Sequence, residues 1–162
     1  MKKIVGLLIL TVVYTCCNAQ LYRVEKAQAF FTVSIPGTQR VDDNGNRINP
    51  EPITARFIYL ECKYSGKPKI DSVWYNGLLF TASVADSEEK TATIGIKKDN
   101  GKPVMLKAKK GNHVWRIDLV QPDGKTLQHK SVKKILIKGK LDKTKFSYTI
   151  VSETELSTPD MY

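Results

Sequence analysis

Three side chains of the chain could bind a transition metal or act in catalysis: Cys62, His113 and His129. A turn at residues 122–124 would fold the strand that starts at His113 back on itself and would place Ile117 opposite His129. His113 would then lie four residues further along the sheet, roughly 13 Å from His129 at the usual rise per residue. Two ligands of one zinc ion cannot be so far apart. The spacing therefore predicts neither a metal site nor a cofactor.

A nucleophilic role for Cys62 would require a partly exposed thiolate beside a base. Cys62 lies instead within an alternating apolar strand, where a free cysteine behaves as a small hydrophobic residue. The acidic pairs at residues 42–43 and 88–89 lie in loop-like segments and are typical of solvent-facing carboxylates, and we find no nucleophile elbow or phosphate loop. We expect a protein that is not an enzyme. A hydrolase is the second alternative, and it would need a cleft that brings a carboxylate to His113 or His129.

A carbohydrate-binding module is the first alternative, and it depends on three apolar side chains. Trp74 and Leu79 are expected to face outward as a cross-strand pair, and Tyr59 lies on the outward face of the preceding strand. An exposed apolar patch of this kind would be a binding surface. This hypothesis predicts that Trp74 and Tyr59 are exposed and coplanar. The competing interpretation, which we favour, is that the first strand, the loop over residues 38–52 or the C-terminal tail covers these side chains.

Positive charge is concentrated in one part of the chain. Residues 20–96 carry nine basic and nine acidic residues, whereas residues 97–145 carry fifteen basic and four acidic residues. Fourteen of the fifteen are lysine, which often protects exposed strands, whereas arginine is the usual residue for bidentate binding of anions. We favour a solubilising surface. The alternative is a site for an anionic glycan or lipopolysaccharide, which would bring lysines such as Lys133, Lys134 and Lys138 onto one face; nucleic acid is not an expected partner.

The element that must position Trp74 and Leu79 is a hairpin over residues 70–84. Asn76-Gly77 is the strongest short signal for a type I′ turn, because both central residues need a positive φ. A turn at these residues places Tyr75 opposite Leu78, Trp74 opposite Leu79 and Val73 opposite Phe80. Alternation then assigns Val73, Tyr75 and Phe80 to the core and Trp74 with Leu79 to the other face.

The rest of the mature chain is predicted to form short strands. In the strand over residues 54–64, Ile58, Leu60 and Cys62 share one apolar face, and Tyr59 lies on the other face. A three-residue loop over residues 99–101 would place Ile96 opposite Val104, with Gly101 left-handed. About eight or nine such strands, with a turn roughly every 8–12 residues, predict an all-β fold: an antiparallel β-sandwich, immunoglobulin-like, formed by the single domain 20–162. An open barrel is the alternative.

Residues 1–19 have the layout of a secretory signal peptide. A basic start at residues 1–3 is followed by an apolar run over residues 4–13, and small residues precede the Ala19-Gln20 junction. We expect cleavage after Ala19, export to the periplasm or the cell exterior, and no transmembrane segment in the mature chain. A lipid anchor on Cys16 or Cys17 is the less favoured alternative, because neither cysteine follows a good lipobox.

Several short motifs resemble those of small secreted β-rich proteins of Bacteroidetes bacteria, whose function is unassigned. They are the Ala-Gln junction, a Phe-rich first strand, Asp-Ser-Val-Trp at residues 71–74, Ile-Lys-Gly-Lys at residues 137–140 and a tail with Pro and Tyr. The resemblance covers most of the mature chain. It implies an exported β protein and supplies no catalytic residue. Asp71-Ser72-Val73 is also similar to the O-glycosylation acceptor of exported proteins of these bacteria, with Ser72 as the modified residue.

From the sequence we expect a non-enzymatic exported protein that acts through its surface as a binding or adaptor module. Its partner would be an anionic glycan, lipopolysaccharide or another protein of the cell envelope. The oligomeric state is not predicted.

Overall fold

The computed structural model describes residues 22–35, 40–48, 52–85, 91–121 and 134–157, and this part of the chain is all-β, as predicted. The described strands are β1 Val24–Ser34, β2 Arg40–Val41, β3 Arg47–Ile48, β4 Ile53–Cys62, β5 Lys69–Tyr75, β6 Leu78–Val84, β7 Thr91–Ile96, β8 Pro103–Lys107, β9 His113–Val120, β10 Ile135–Leu141, β11 Thr144–Ile150 and β12 Glu153–Leu156. No helix in the described residues is long and apolar enough to cross a membrane.

The hairpin of β5 and β6 has the predicted turn and register. Asn76 and Gly77 have φ values of 46° and 87°, which is the left-handed backbone that a type I′ turn requires. Tyr75 lies opposite Leu78, and Trp74 opposite Leu79. The alternation along β5 therefore separates a buried face from an exposed one at the predicted residues.

Eight strands form one sheet in the order β11-β10-β5-β6-β9-β4-β1-β12. All neighbouring strands are antiparallel except β1 and β12, which are parallel. The sheet curls, so that β11 near one edge contacts β1 near the other. A single curled sheet is closer to the open-barrel alternative than to two facing sheets, and the immunoglobulin-like sandwich is not confirmed.

The core lies on the inward face of this curl. Its fully buried side chains come from strands across the sheet, because alternation sends every second residue inward. They include Ile58, Leu60, Val73, Ile117, Ile135 and Ile137. The sheet therefore encloses its own core and leaves a second, outward face to be covered or exposed.

The β7–β8 hairpin covers one half of that outward face. Val104 and Leu156 are buried there against the aromatic side chains of β1 and β4. An isolated bridge between Lys97 and Leu156, together with a hydrogen bond from the Ser157 amide to the Ile96 carbonyl (2.8 Å), attaches the hairpin to β12. The outer half over β1, β4 and β9 is thus a second small core.

The predicted register of β7 and β8 was wrong. Ile96 lies opposite Pro103, and Val104 lies opposite Gly95. The loop is longer than expected, because the Lys97 amide bonds to the Lys102 carbonyl (2.9 Å) and closes residues 98–101. A bulge between Thr93 and Gly95 then returns the apolar residues of the two strands to one face. Gly101 has a φ of 67°, which confirms the left-handed position.

Candidate binding face

Tyr59 does not belong to an exposed surface, so the exposed, coplanar arrangement with Trp74 that the carbohydrate-binding hypothesis required was wrong. It is buried on β4 with its ring about 6 Å from the rings of Phe30 and Phe57 (6.1 and 6.0 Å between centroids). Strands β6 and β9 separate β4 from the β5 strand that carries Trp74. Alternation identified a side chain that points away from the main core, but it could not show that β7 and β8 would cover that side chain. Trp74 and Tyr59 therefore form no common platform.

Tyr59 lines instead a small cleft of about 190 Å³ between β8 and the sheet. The buried Glu61 also lines this cleft, and its carboxylate accepts hydrogen bonds from the Lys109 amide (2.9 Å) and the Asn112 side-chain nitrogen (2.7 Å). The side-chain oxygen of Gln28 is buried there without a hydrogen-bond partner among the described residues. The Glu61 carboxylate thus holds the connection between β8 and β9 in place. We therefore assign this cleft a structural role and not a ligand-binding one.

Trp74 and Leu79 are exposed, as predicted, with 38% and 45% of their surfaces accessible. Leu136 of β10 lies opposite Trp74 on the other side of β5 and is partly buried. The three side chains form one apolar row across β10, β5 and β6. The row lies on the outward face, in the half of the sheet that β7 and β8 leave uncovered.

The same face carries lysines from three adjacent strands. Lys138 lies opposite Ser72 and two residues from Leu136 along β10, so it is the next outward position after the apolar row. A further two residues along, Lys140 lies opposite Lys69 on one side and opposite Lys145 on the other. We call this surface the lysine–tryptophan face, and it is formed by Lys69, Trp74, Leu79, Leu136, Lys138, Lys140 and Lys145.

The electrostatics of the lysine–tryptophan face are unbalanced. Cβ atoms of directly opposed residues are about 4.5–5.5 Å apart, so the three side chains of the row Lys69–Lys140–Lys145 repel one another. Within the described part of the chain, none of these three lysines, nor Lys138, has a carboxylate partner. An unpaired row of like charges is unfavourable in isolation, and a bound anion would relieve it.

Gly139 and a β-bulge align these strands. The bulge lies at Asp71 and moves the register from Ser72 opposite Lys138 to Ile70 opposite Gly139. A Cβ atom at position 139 would collide with the carbonyl oxygen of Lys69 and with the Phe146 ring, so glycine is required there. The close approach of β5 and β10 at Gly139 brings Lys69 level with Lys140.

Other predicted residues lie at the edge or centre of this face. Lys134 is exposed beside the hairpin turn, where its amide bonds to the Asn76 side-chain oxygen (3.1 Å) and its carbonyl accepts a bond from the Asn76 amide (3.0 Å). Ser72 is partly exposed between Trp74 and Lys138, and its O-glycosylation stays a prediction. Lys133, Ala19 and Gln20 lie outside the described residues.

The charge pattern of the sequence predicted the placement of the lysines in residues 97–145 but not the contribution of Lys69. The lysines of residues 97–145 that the structure describes are at outward or loop positions, as predicted. Lys69 was missed because it comes from the charge-balanced segment 20–96. Only the pairing of β5 with β10 brings it beside Lys140. A count of charges along the chain carries no signal of this contact.

The residues considered for catalysis are not assembled into a site in the described part of the chain. Cys62 is fully buried in the core, as predicted, and its thiol donates a long bond to the Tyr64 carbonyl (3.7 Å). His113 lies opposite Cys62 on β9, and His129 is outside the described residues. Among the described residues no group of three histidine, cysteine or acidic side chains is placed to hold a metal ion. Neither the 190 Å³ cleft nor an open depression of about 360 Å³ beside β12 is lined by histidine.

A buried ion pair inside the curl was not predicted. Arg56 has the same parity as Ile58 on β4 and therefore points inward, with its Nε atom 3.7 Å from a carboxylate oxygen of Glu153. Its guanidinium also lies 5.9 and 5.8 Å from the ring centroids of Phe31 and Tyr75. The period of two along β4 was the available signal. Arg56 and Glu153 join β4 to β12 and contribute to structure, since they lie away from the exposed face.

No match to this chain was found among protein-family models, curated proteins or solved structures. Its function must therefore be inferred from the chemistry of its own surface, and the lysine–tryptophan face is the part of the described surface that offers most.

Proposed function

We propose that this protein is an exported, non-enzymatic binding module that acts through the lysine–tryptophan face, with a glycan as its ligand. The observation that carries the proposal is the convergence of predicted ligand residues on one uncovered surface. Trp74 and Leu79 carry the apolar signal of the sequence and Lys134 and Lys138 carry its charge signal, and all four lie on or beside this face.

The shape of the face favours an extended ligand. It is the outer surface of a sheet, with side chains that stand in rows across β6, β5, β10 and β11. Such a surface can contact several units of a linear polymer at once. A small metabolite would instead be expected in a concave pocket that buries most of its surface.

The small apolar area favours a glycan over a protein as the ligand. Stable protein interfaces bury about 800 Å² on each partner and have an aromatic-rich core. The apolar row here consists of Trp74, Leu79 and the partly buried Leu136. One indole ring with an adjacent leucine suits a sugar ring, whose C–H face packs on an aromatic face. A protein of the cell envelope is the second candidate partner.

The test is binding of the mature chain, residues 20–162, to immobilised polysaccharides. Trp74→Ala should weaken binding at least tenfold, because it removes the only aromatic side chain of the described apolar row. Tyr22→Ala is the matched control, since Tyr22 has the same exposed fraction as Trp74 and lies outside the face. Failure of the wild-type chain to bind neutral or acidic polysaccharides, or equal binding by both variants, would overturn the proposal.

Export is tested separately by N-terminal mass analysis of the protein from its native cells. A chain that begins at Gln20 supports secretion in soluble form. A diacylglyceryl group on Cys16 or Cys17 would instead identify a lipid-anchored protein, and an intact residue 1 would contradict export.

A further inference from the structure

We propose that the ligand of the lysine–tryptophan face is an acidic polysaccharide whose sugars carry carboxylates; this inference rests on the binding role proposed above. The apolar row holds a sugar ring, and the lysines pair with carboxylates of neighbouring sugars. The ligand lies parallel to the strands, from the apolar row to the lysine row.

The charge of the lysine–tryptophan face is complementary to an anion. Lys69, Lys140 and Lys145 are directly opposed and have no acidic partner in the described residues. Like charges at opposed positions destabilise a sheet, so this row favours an anion over a neutral ligand. The strands β5, β10 and β11, with the turn at residues 142–143, contain five lysines and two aspartates. The surface is therefore positive even when those aspartates are counted.

The type of cation on the face favours anionic groups that are separated from one another. All the basic side chains of the face are lysine, with no arginine fork for a bidentate contact. An ammonium group is a flexible point charge that adapts to separate anionic groups at variable positions. Carboxylates spaced along a polymer match this better than one densely charged group held at a fixed geometry.

The distance between the apolar row and the lysine row favours a ligand of several sugar units. Leu136 and Lys140 are four residues apart on β10, which corresponds to roughly 13 Å at the rise of an antiparallel strand. Lys138 lies halfway between them on the same face. A single sugar on Trp74 cannot reach the far row, whereas an oligosaccharide that lies parallel to the strands can contact both rows. Affinity should therefore increase with ligand length.

The combination of the two rows separates this site from a merely solubilising surface. Purely electrostatic binding to exposed lysines weakens strongly in physiological salt, where the screening length is about 8 Å. Stacking on Trp74 does not depend on salt in this way. Binding that uses both rows should persist at about 0.15 M salt.

The experiment compares polygalacturonate with its fully methyl-esterified, uncharged form, at physiological salt and with the mature chain. We expect the acidic polymer to bind at least tenfold more tightly. Replacement of Lys69, Lys140 and Lys145 with Gln should abolish that preference while leaving weak binding to the ester. The matched control replaces Lys107, Lys109 and Lys110 with Gln, which makes the same change in charge at exposed residues of the other half, and should keep the preference.

The outcomes separate this inference from the proposed function. Equal binding of acid and ester, still dependent on Trp74, overturns the acidic ligand and leaves the binding module intact. No binding of either polymer overturns the acidic ligand, and the binding module is then overturned only if the immobilised polysaccharides of the first test also fail to bind. Equal loss in the two triple variants, or equal competition by single-stranded DNA, would reduce the effect to general charge attraction and overturn the site. Tighter binding of dextran sulfate than of polygalacturonate overturns the carboxylate assignment.

Ligand length provides an independent measurement. Oligogalacturonates of four or more units should bind the wild-type chain at least tenfold more tightly than the monomer. Equal affinity for monomer and tetramer would overturn the lengthwise path between the two rows.

Discussion

The outward surface of the curled sheet has two halves with opposite fates. Over β1, β4 and β9 it is covered by β7 and β8, and its side chains form a second small core. Over β5, β6, β10 and β11 it is exposed, with one apolar row and a set of lysines. Both halves arise from the same alternation of residues.

The two halves differ in whether their side chains are stable when another segment covers them. The covered half has the aromatic side chains of Phe30, Phe57 and Tyr59, which stabilise the fold only when buried. The exposed half has several charges of one sign, and covering unpaired charges is costly. A covering hairpin is therefore favourable on one half and unfavourable on the other. Composition, and not strand geometry, therefore decides which half is buried as a second core and which half stays exposed.

The largest expected difference in the free energy of unfolding is between the variants Phe57→Ala and Trp74→Ala. Phe57 is buried, stacks near Phe30 and lies beneath the guanidinium of Arg116, 4.5 Å from the ring centroid. Phe57→Ala should lower the free energy of unfolding by about 3–5 kcal/mol, as for other buried phenylalanines. Trp74→Ala should cost only about 0.2–1 kcal/mol, the usual range for a cross-strand pair. Urea denaturation measures both, and similar losses would contradict the assignment of the two halves.

A second prediction concerns Glu61, which joins the covering segment to the sheet. Glu61→Ala leaves the Lys109 amide and the Asn112 amide group without their acceptor, and hydrogen bonds to a charged group are worth about 1.5–3 kcal/mol. The control is Glu155→Ala, which removes an ion pair with Lys98 that is largely exposed and worth about 0–1 kcal/mol. The urea midpoints of both variants decide the matter. An equal effect of the two changes would show that Glu61 does not anchor this segment.

A third prediction concerns the inward face of β5, where a buried tyrosine should make the stability of the protein depend on pH. Burial raises the pKa of Tyr75, the inward neighbour of Trp74. The unfolded chain then releases a proton above about pH 10 that the folded chain retains, so stability falls as the pH rises through this range. Relative to Tyr75→Phe, the wild-type chain should lose about 1.4 kcal/mol between pH 8 and pH 11. Parallel stability curves for the two chains would show that the hydroxyl is not held in the core.

The smallest expected effect is a gain in the stability of the unliganded protein. Lys140→Gln removes the central charge of the lysine row and should stabilise the unliganded protein by a few tenths of a kcal/mol, up to about 1 kcal/mol. Lys107→Gln, where the opposed residue is Thr91, is the control and should have no such effect. Thermal unfolding at low and high salt measures the difference, which should shrink as salt screens the repulsion. A loss of stability in Lys140→Gln would mean that the row is balanced by an acidic group.

Local features of the fold could be predicted from sequence, and long-range ones could not. The turn at residues 76–77 and the exposure of Trp74 follow from φ preferences and a period of two, which involve neighbouring residues alone. The burial of Tyr59 depends on β7 and β8, which come at least thirty residues later. Nothing in the period of β4 shows which of its two faces will meet another strand.

The candidate site was predictable to the same extent. Lys138 and Trp74 each carried a local signal, one of charge and the other of exposed aromaticity. Their shared face required the pairing of β10 with β5, since a shift of one residue would have sent Lys138 inward. Lys69 had no local signal at all. Strand pairing between distant segments is thus the information that the sequence alone does not supply.

The parallel pair of β1 and β12 has a consequence for the rate of folding. Ala29 lies opposite Glu153, so one of the two strands beside β1 comes from more than a hundred residues away. The chain loses entropy when it closes such a loop, before the contact between the two strands can contribute favourable energy. Topologies of this kind therefore fold slowly. We therefore expect one edge of β1 to stay unpaired through most of folding, until β12 pairs with it.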